Sequence, residues 1–139
     1  MGNTRLQTNV ILMQRQNISS GAPWEPKIGY SRAVRIGNLI EVSGTVAIRE
    51  GKTVGIGNPY KQTIRIFEII DGALQKAGGS MQDVIRTRMY VTDITSWPEV
   101  GRAHGEVFKG INPATSLVEI SGLIDPEHLV EVEVTAIIQ

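Results

Sequence analysis

Hydrophobic and polar residues alternate along residues 129–138 closely enough to define a strand with two unlike faces. Val130, Val132, Val134, Ala136 and Ile138 fall on one side, and Leu129, Glu131, Glu133, Thr135 and Ile137 on the other, because strand side chains alternate with period two. Two carboxylates on an otherwise apolar strand raise a choice. Either that face is solvated, or the charges sit in a site with partners.

Similar alternation predicts a hairpin over RAVRIGNLIEVSG, turning at Gly37–Asn38, a strand over 82–92 and another over 114–121. Between them the period changes to that of a helix. Asn58–Pro59 is a start signal, Ile66, Phe67, Ile70, Leu74 and Ala77 recur at helical spacing, and Gly78–Gly79 is a stop. A second helix is expected from Ser96 to about Lys109, with a Ser96–Glu99 capping box and Pro98 in its first turn. Its apolar stripe is Val100, Ala103, Val107 and Phe108, and Gly101 and Gly105, one turn apart, are expected to pack closely on a neighbouring element. SSGAPWEPKIGY and REGKTVGIGN read as loops, residues 1 to about 8 as a tail, and 9–14 as an edge strand. The division is thus residues 1–17 as tail and edge strand, and 18–139 as one domain. Its element order is β-β-β-α-β-α-β-β, an α+β arrangement whose two helices cover one face of the sheet.

On the other face the expected outward residues are Arg86, Arg88 and Tyr90, then Thr115, Leu117 and Glu119, then Glu131, Glu133 and Thr135. Ile85, Met89 and Val91, and Ser116, Val118 and Ile120, are expected beneath the helices; in the hairpin Arg35, Leu39, Glu41 and Ser43 share a side. Mixed charges and apolar anchors suit burial against another subunit. The alternative is a monomer with exposed cross-strand ion pairs, each worth about 0–1 kcal/mol.

Composition narrows the function. The 139 residues carry 14 basic and 14 acidic side chains, a formal net charge of zero, so nothing attracts nucleic acid at long range. Without cysteine there is neither a disulfide framework nor a thiolate site. No apolar run reaches membrane length and the start does not read as a signal peptide, so a cytoplasmic protein without membrane association is expected. His104 and His128 lack ligand partners at metal spacing, so no metal and no cofactor is expected, and GIGN at 55–58 is too weak for a nucleotide loop. Tyr90 and Trp24 are expected to pack rather than to stack on bases.

The strings PKIGYSRAVRIGNLIEVSGTVAI, DVIRTRMYVTDI and PATSLVEISGLIDPEHLVEVEVTAI resemble the RidA/YjgF family of reactive-intermediate deaminases, over roughly residues 18–138 in unbroken order. The resemblance implies a chorismate-mutase-like α+β fold, a mixed sheet with two helices on one face, and a homotrimer whose sheets form a central barrel with ligand clefts between subunits. It implies hydrolysis of enamines and imines, such as 2-aminoacrylate and 2-iminobutanoate, to keto acids and ammonia. Carried over residue by residue, Tyr30 matches the tyrosine bordering the cleft, although Ile28–Gly29–Tyr30 lacks the family's intervening proline. Ser43 matches the pocket serine, Glu131 the glutamate that holds the attacking water, and Thr95 falls near a pocket asparagine.

Thr115 stands where active members carry the arginine that grips the substrate carboxylate. One neutral hydroxyl replaces a forked cation, a loss of roughly 1.5–3 kcal/mol in binding, so efficient turnover of 2-iminobutanoate is not expected. Arg88 shares the outward face with Glu131 and is a candidate replacement, the alternative being a structural ion pair. Glu131 is the candidate general base, since a carboxylate in a partly dry cleft is raised toward neutrality; a structural glutamate is the alternative. The functional expectations are therefore a small-molecule hydrolase acting on labile C–N bonds, a non-catalytic metabolite-binding or protein-binding trimer, or, more remotely, an endoribonuclease or translation inhibitor.

Overall fold

The computed structural model describes residues 14–139; the tail and nearly all of the expected 9–14 strand lie outside the described residues. Six strands form one sheet: β1 (Arg15–Ile18), β2 (Ala33–Ile36), β3 (Leu39–Thr45), β6 (Val84–Val91), β7 (Ala114–Glu119) and β8 (Val130–Ile137). Their order is β1-β2-β3-β8-β6-β7. Only β6 and β7 run parallel, so the sheet is mixed. Three helices accompany it: α1 (Trp24–Ile28), α2 (Pro59–Lys76) and α3 (Trp97–Val107). The fold class is α+β.

Strand β8 is central, paired with β3 on one side and β6 on the other. Its Val130, Val132, Val134 and Ala136 are fully buried against α2, with Ile66, Phe67, Ile70 and Leu74 supplying the facing layer. The start signal of α2 works as its residue types require. The Asn58 side chain accepts the Lys61 amide at 3.0 Å, satisfying a donor with no partner inside the helix. At the other end the Gly79 amide reaches back to the Leu74 carbonyl, with Gly78 at φ 89°. Gln62, buried in the first turn of α2, ties the loop before β8 in place. Its amide donates to the Gly55 and Glu127 carbonyls, and its oxygen accepts the Leu129 amide. That loop sets the entry of Glu131 into the sheet.

Several expected positions differ, each for a local reason. The hairpin pairs Ile36 with Leu39, and a two-residue turn brings residues of opposite parity onto one face. Val34 and Ile36 therefore accompany Leu39 and Glu41. Arg35 lies on the helix side, where its Nη1 donates to the Ala77 carbonyl at 2.7 Å. A bulge between Val84 and Arg86 turns Ile85 outward (41% exposed) and buries Val84 (3%). Strand β7 has the opposite phase to that expected: parallel pairing of Thr87 with Thr115 and Met89 with Leu117 puts Thr115 and Leu117 on the helix side and Ser116 and Val118 on the open one.

The Ser96–Glu99 capping box does not form; Ser96 donates instead to the Asp93 carbonyl. A capping box closes between Ser80 and Asp83. Around Gly101 and Gly105 an added Cβ would meet nothing within 4 Å, so these glycines are exposed on α3 and do not mediate close packing. The first expected loop contains α1, whose Glu25 carboxylate gathers the Ser20 and Ala22 amides, and the second contains the hairpin β4 (Ile48–Arg49)–β5 (Lys52–Thr53). Among the described residues no helix is long and apolar enough to cross a membrane.

Candidate active site

The open face of the sheet carries Glu131 and Glu133 on β8, opposite Tyr90 and Arg88 of β6. Beside them β3 is irregular: the pairing slips by one residue between Val42 and Thr45, a bulge containing Ser43 and Gly44. The Glu131 carboxylate leans into the space this leaves. A Cβ on Gly44 would lie 2.7 Å from Glu131 Oε1, so the close approach requires glycine. Half-burial pushes the Glu131 carboxyl above its ordinary range and neighbouring Glu133 adds to this, while Arg32 and His128 pull it back.

Arg32 and Tyr30, on the segment leading into β2, complete the group. One Arg32 nitrogen, Nη2, donates to the Gly44 carbonyl, and the guanidinium stands 5.9 Å from the Tyr30 ring. Burial lowers the pKa of Arg32, and Tyr30, Glu25 and Glu131 oppose that shift. Ser43 donates to the Ser31 carbonyl at 2.6 Å, pinning the bulge to this segment. An open cavity of about 570 Å³ adjoins it, lined by Ser19, Ala22, Glu25, Gly29, Tyr30 and Ser31. Trp24, expected to pack, is exposed on α1.

Tyr30, Ser43 and Glu131 are thus gathered at one end of the open face, with Arg32 and Gly44 as members that the sequence reasoning missed. A signal existed for Arg32, which falls in strand phase between Tyr30 and Val34; the bulge that makes Gly44 necessary had none. Arg88 does share the face of Glu131 and stands opposite Glu133. Among the described residues no ion pair includes it. The neighbouring Glu133 carboxylate raises the pKa of the Tyr90 phenol. Thr95 is turned elsewhere, its hydroxyl and amide both on Asp93 Oδ1.

Thr115 is the main correction. It is exposed on edge strand β7 but directed to the helix side, where buried Thr87 donates to its Oγ1 at 2.7 Å. The next residue, Ser116, faces the open side and accepts from Arg86 Nη2 at 2.9 Å. Within one protomer Thr115 and Glu131 therefore stand on opposite faces of the sheet.

The fold and much of the sequence recur in known proteins. Residues 21–138 match the family described as Endoribonuclease L-PSP. An uncharacterized Streptomyces coelicolor protein is 39% identical over 121 residues, covering 87% of this chain and 90% of its own. The 3-aminoacrylate deaminase RutC of Acinetobacter baylyi is 30% identical over 116 residues, covering 83% and 90%. Among solved structures, a Mycobacterium tuberculosis member of the highly conserved YjgF/YER057c/UK114 family has a TM-score of 0.82 and 44% identity, covering 90% of this chain and 100% of its own. With the match spanning nearly the whole described domain, the chain belongs to the RidA/YjgF family, the family also described as Endoribonuclease L-PSP.

Proposed function

We propose that the protein is a cofactor-free hydrolase of a small enamine or imine, working in a cleft between protomers of a homotrimer. The observation that carries this reading is Glu131: a half-buried carboxylate with a raised pKa, held against the bare Cα of Gly44. Such a group takes a proton from water near neutral pH. Water adds to the carbon of the C=N bond, its proton passes through Glu131 to the nitrogen, and the carbinolamine collapses to a carbonyl and ammonia. Tyr30 and Ser43 border the reacting group. Arg88 shares their face, opposite Glu133. The relative named as a 3-aminoacrylate deaminase supports this class of reaction.

Two features support the assembly. Ile36, Leu39, Val118 and Ile137 expose apolar surface on the open face, which suits burial against copies of the chain. A ligand touching both Glu131 and Thr115 must bridge two protomers, since one protomer holds them on opposite faces. Zero net charge and the alternation of Arg and Glu on that face disfavour RNA as the substrate.

Ammonia release from a panel of imines generated in solution is the test. Glu131→Gln is expected to lower kcat/KM by about 10²–10⁴-fold. Turnover by the purified protein that survives this substitution undiminished contradicts the proposal.

A further inference from the structure

Behind Thr115 lies a feature that the hydrolysis reading leaves unused. Thr87 is fully buried on β6, and its hydroxyl has two partners: Thr115 Oγ1 at 2.7 Å and His104 Nε2 on α3 at 2.9 Å. The imidazole is held by aromatic neighbours, its ring centroid 4.7 Å from that of Phe108 and 5.8 Å from that of Phe67. Burial lowers its pKa, so the ring is neutral at pH 7.

A hydroxyl has one proton to give. When Thr87 gives it to Thr115, His104 Nε2 must carry a proton and donate to Thr87, which leaves the Thr115 proton free to point outward as a donor. In the reverse order Thr115 donates inward and presents lone pairs. In both arrangements the outward group is an oriented, uncharged hydroxyl.

Within its own protomer, the arginines of β6 do not compensate for it. Arg86 and Arg88 alternate with Thr87 along β6 and project to the opposite face, Arg86 onto Ser116. Arg32 is committed to the Gly44 carbonyl and lies in the field of Glu131 and Glu25.

We infer that Thr115, Thr87 and His104 form a hydrogen-bonded relay that reads a neutral carbonyl or amide group of the substrate, so that the cleft selects enamines or imines lacking a carboxylate there. This rests on the reading of the cleft given above and names its substrate class. Thr115 contacts the ligand; Thr87 and His104 are positioning residues that orient its hydroxyl.

The experiment compares 2-iminobutanoate with its uncharged amide, 2-iminobutanamide, by ammonia release. Wild type is expected to favour the amide at least about tenfold in kcat/KM, the size of one oriented hydrogen bond. Thr115→Val, which keeps the shape, and His104→Phe should each abolish that preference, mainly through KM. His104→Gln, which restores an N–H facing Thr87, should recover most of it, an outcome that a purely packing role for His104 does not produce. Thr115→Arg should invert the preference. An amide-to-acid ratio unchanged within twofold in Thr115→Val and His104→Phe overturns the relay. If wild type turns over neither compound, the hydrolase reading fails separately. The relay is then read from binding of the stable products: preferential binding of 2-oxobutanamide over 2-oxobutanoate that Thr115→Val removes sustains it, and equal or absent binding overturns it.

Discussion

The two sides of β8 differ in kind. On the side toward α2, Val130, Val132, Val134 and Ala136 are fully buried in a continuous apolar layer, and the polar groups there, such as Gln62 and Thr87, are hydrogen-bonded. On the open side the same strand presents Glu131, Glu133 and Thr135 among arginines, a tyrosine and exposed aliphatics. One side is organised to hold the fold together. The other holds a carboxylate in a setting that disfavours its charge, which is a poor arrangement for stability and a useful one for moving protons.

Substitutions on the two sides should therefore separate stability from activity. The largest stability effect belongs to the covered side. Phe67, buried and edge-on to Phe108, leaves a cavity when truncated, so Phe67→Ala is expected to lose about 3–5 kcal/mol in denaturant unfolding. The turnover number per folded molecule should change little, any loss falling on KM through the His104 ring that Phe67 packs against.

Gly44→Ala probes the open side. A methyl there displaces the flexible end of Glu131; kcat is expected to fall about tenfold through misplacement of the base, while stability moves by less than about 1 kcal/mol.

Glu131 itself gives a pH signature. Its folded-state pKa is raised, so the protonated form stabilises the fold at low pH, and that contribution is lost as pH rises from the unfolded value through the folded one. Glu131→Gln, which cannot ionise, should melt higher than wild type at pH 8, with the difference shrinking toward pH 4. The acid limb of wild-type kcat/KM should lie above the ordinary carboxylate range. The smallest effect is expected of Arg88→Ala, less than about fivefold in kcat/KM, because that side chain faces Glu133 rather than the reacting group.

Much of the fold was legible because period carries it. Asn58–Pro59, the stripe from Ile66 to Leu74 and the alternation after Leu129 each obey one local rule, and each formed as that rule requires. Phase across turns and bulges was harder to read. Arg35 and Thr115 were placed on the wrong faces because face assignment depends on which residue pairs with which, a property of two strands together rather than of either alone. Ile85 was misplaced by a one-residue bulge. In the site, Tyr30, Ser43 and Glu131 could be named from the resemblance. Arg32 and Gly44 became visible only when β3 buckled beside β8. The link from Thr115 through Thr87 to His104 joins three elements that no spacing connects.

The central claim is that a functional cleft combines Glu131 from one protomer with Thr115 from another. Subunit mixing tests it most directly: Glu131→Gln and Thr115→Val proteins are unfolded together, refolded as an equal mixture, and assayed on an imine amide. Random assembly leaves about one quarter of intersubunit clefts with both residues intact, so the mixture should recover about one quarter of wild-type activity, well above the mean of the two parents. Activity equal to that mean, in a mixture shown to have exchanged subunits, would place both residues in a site within one chain and contradict the account.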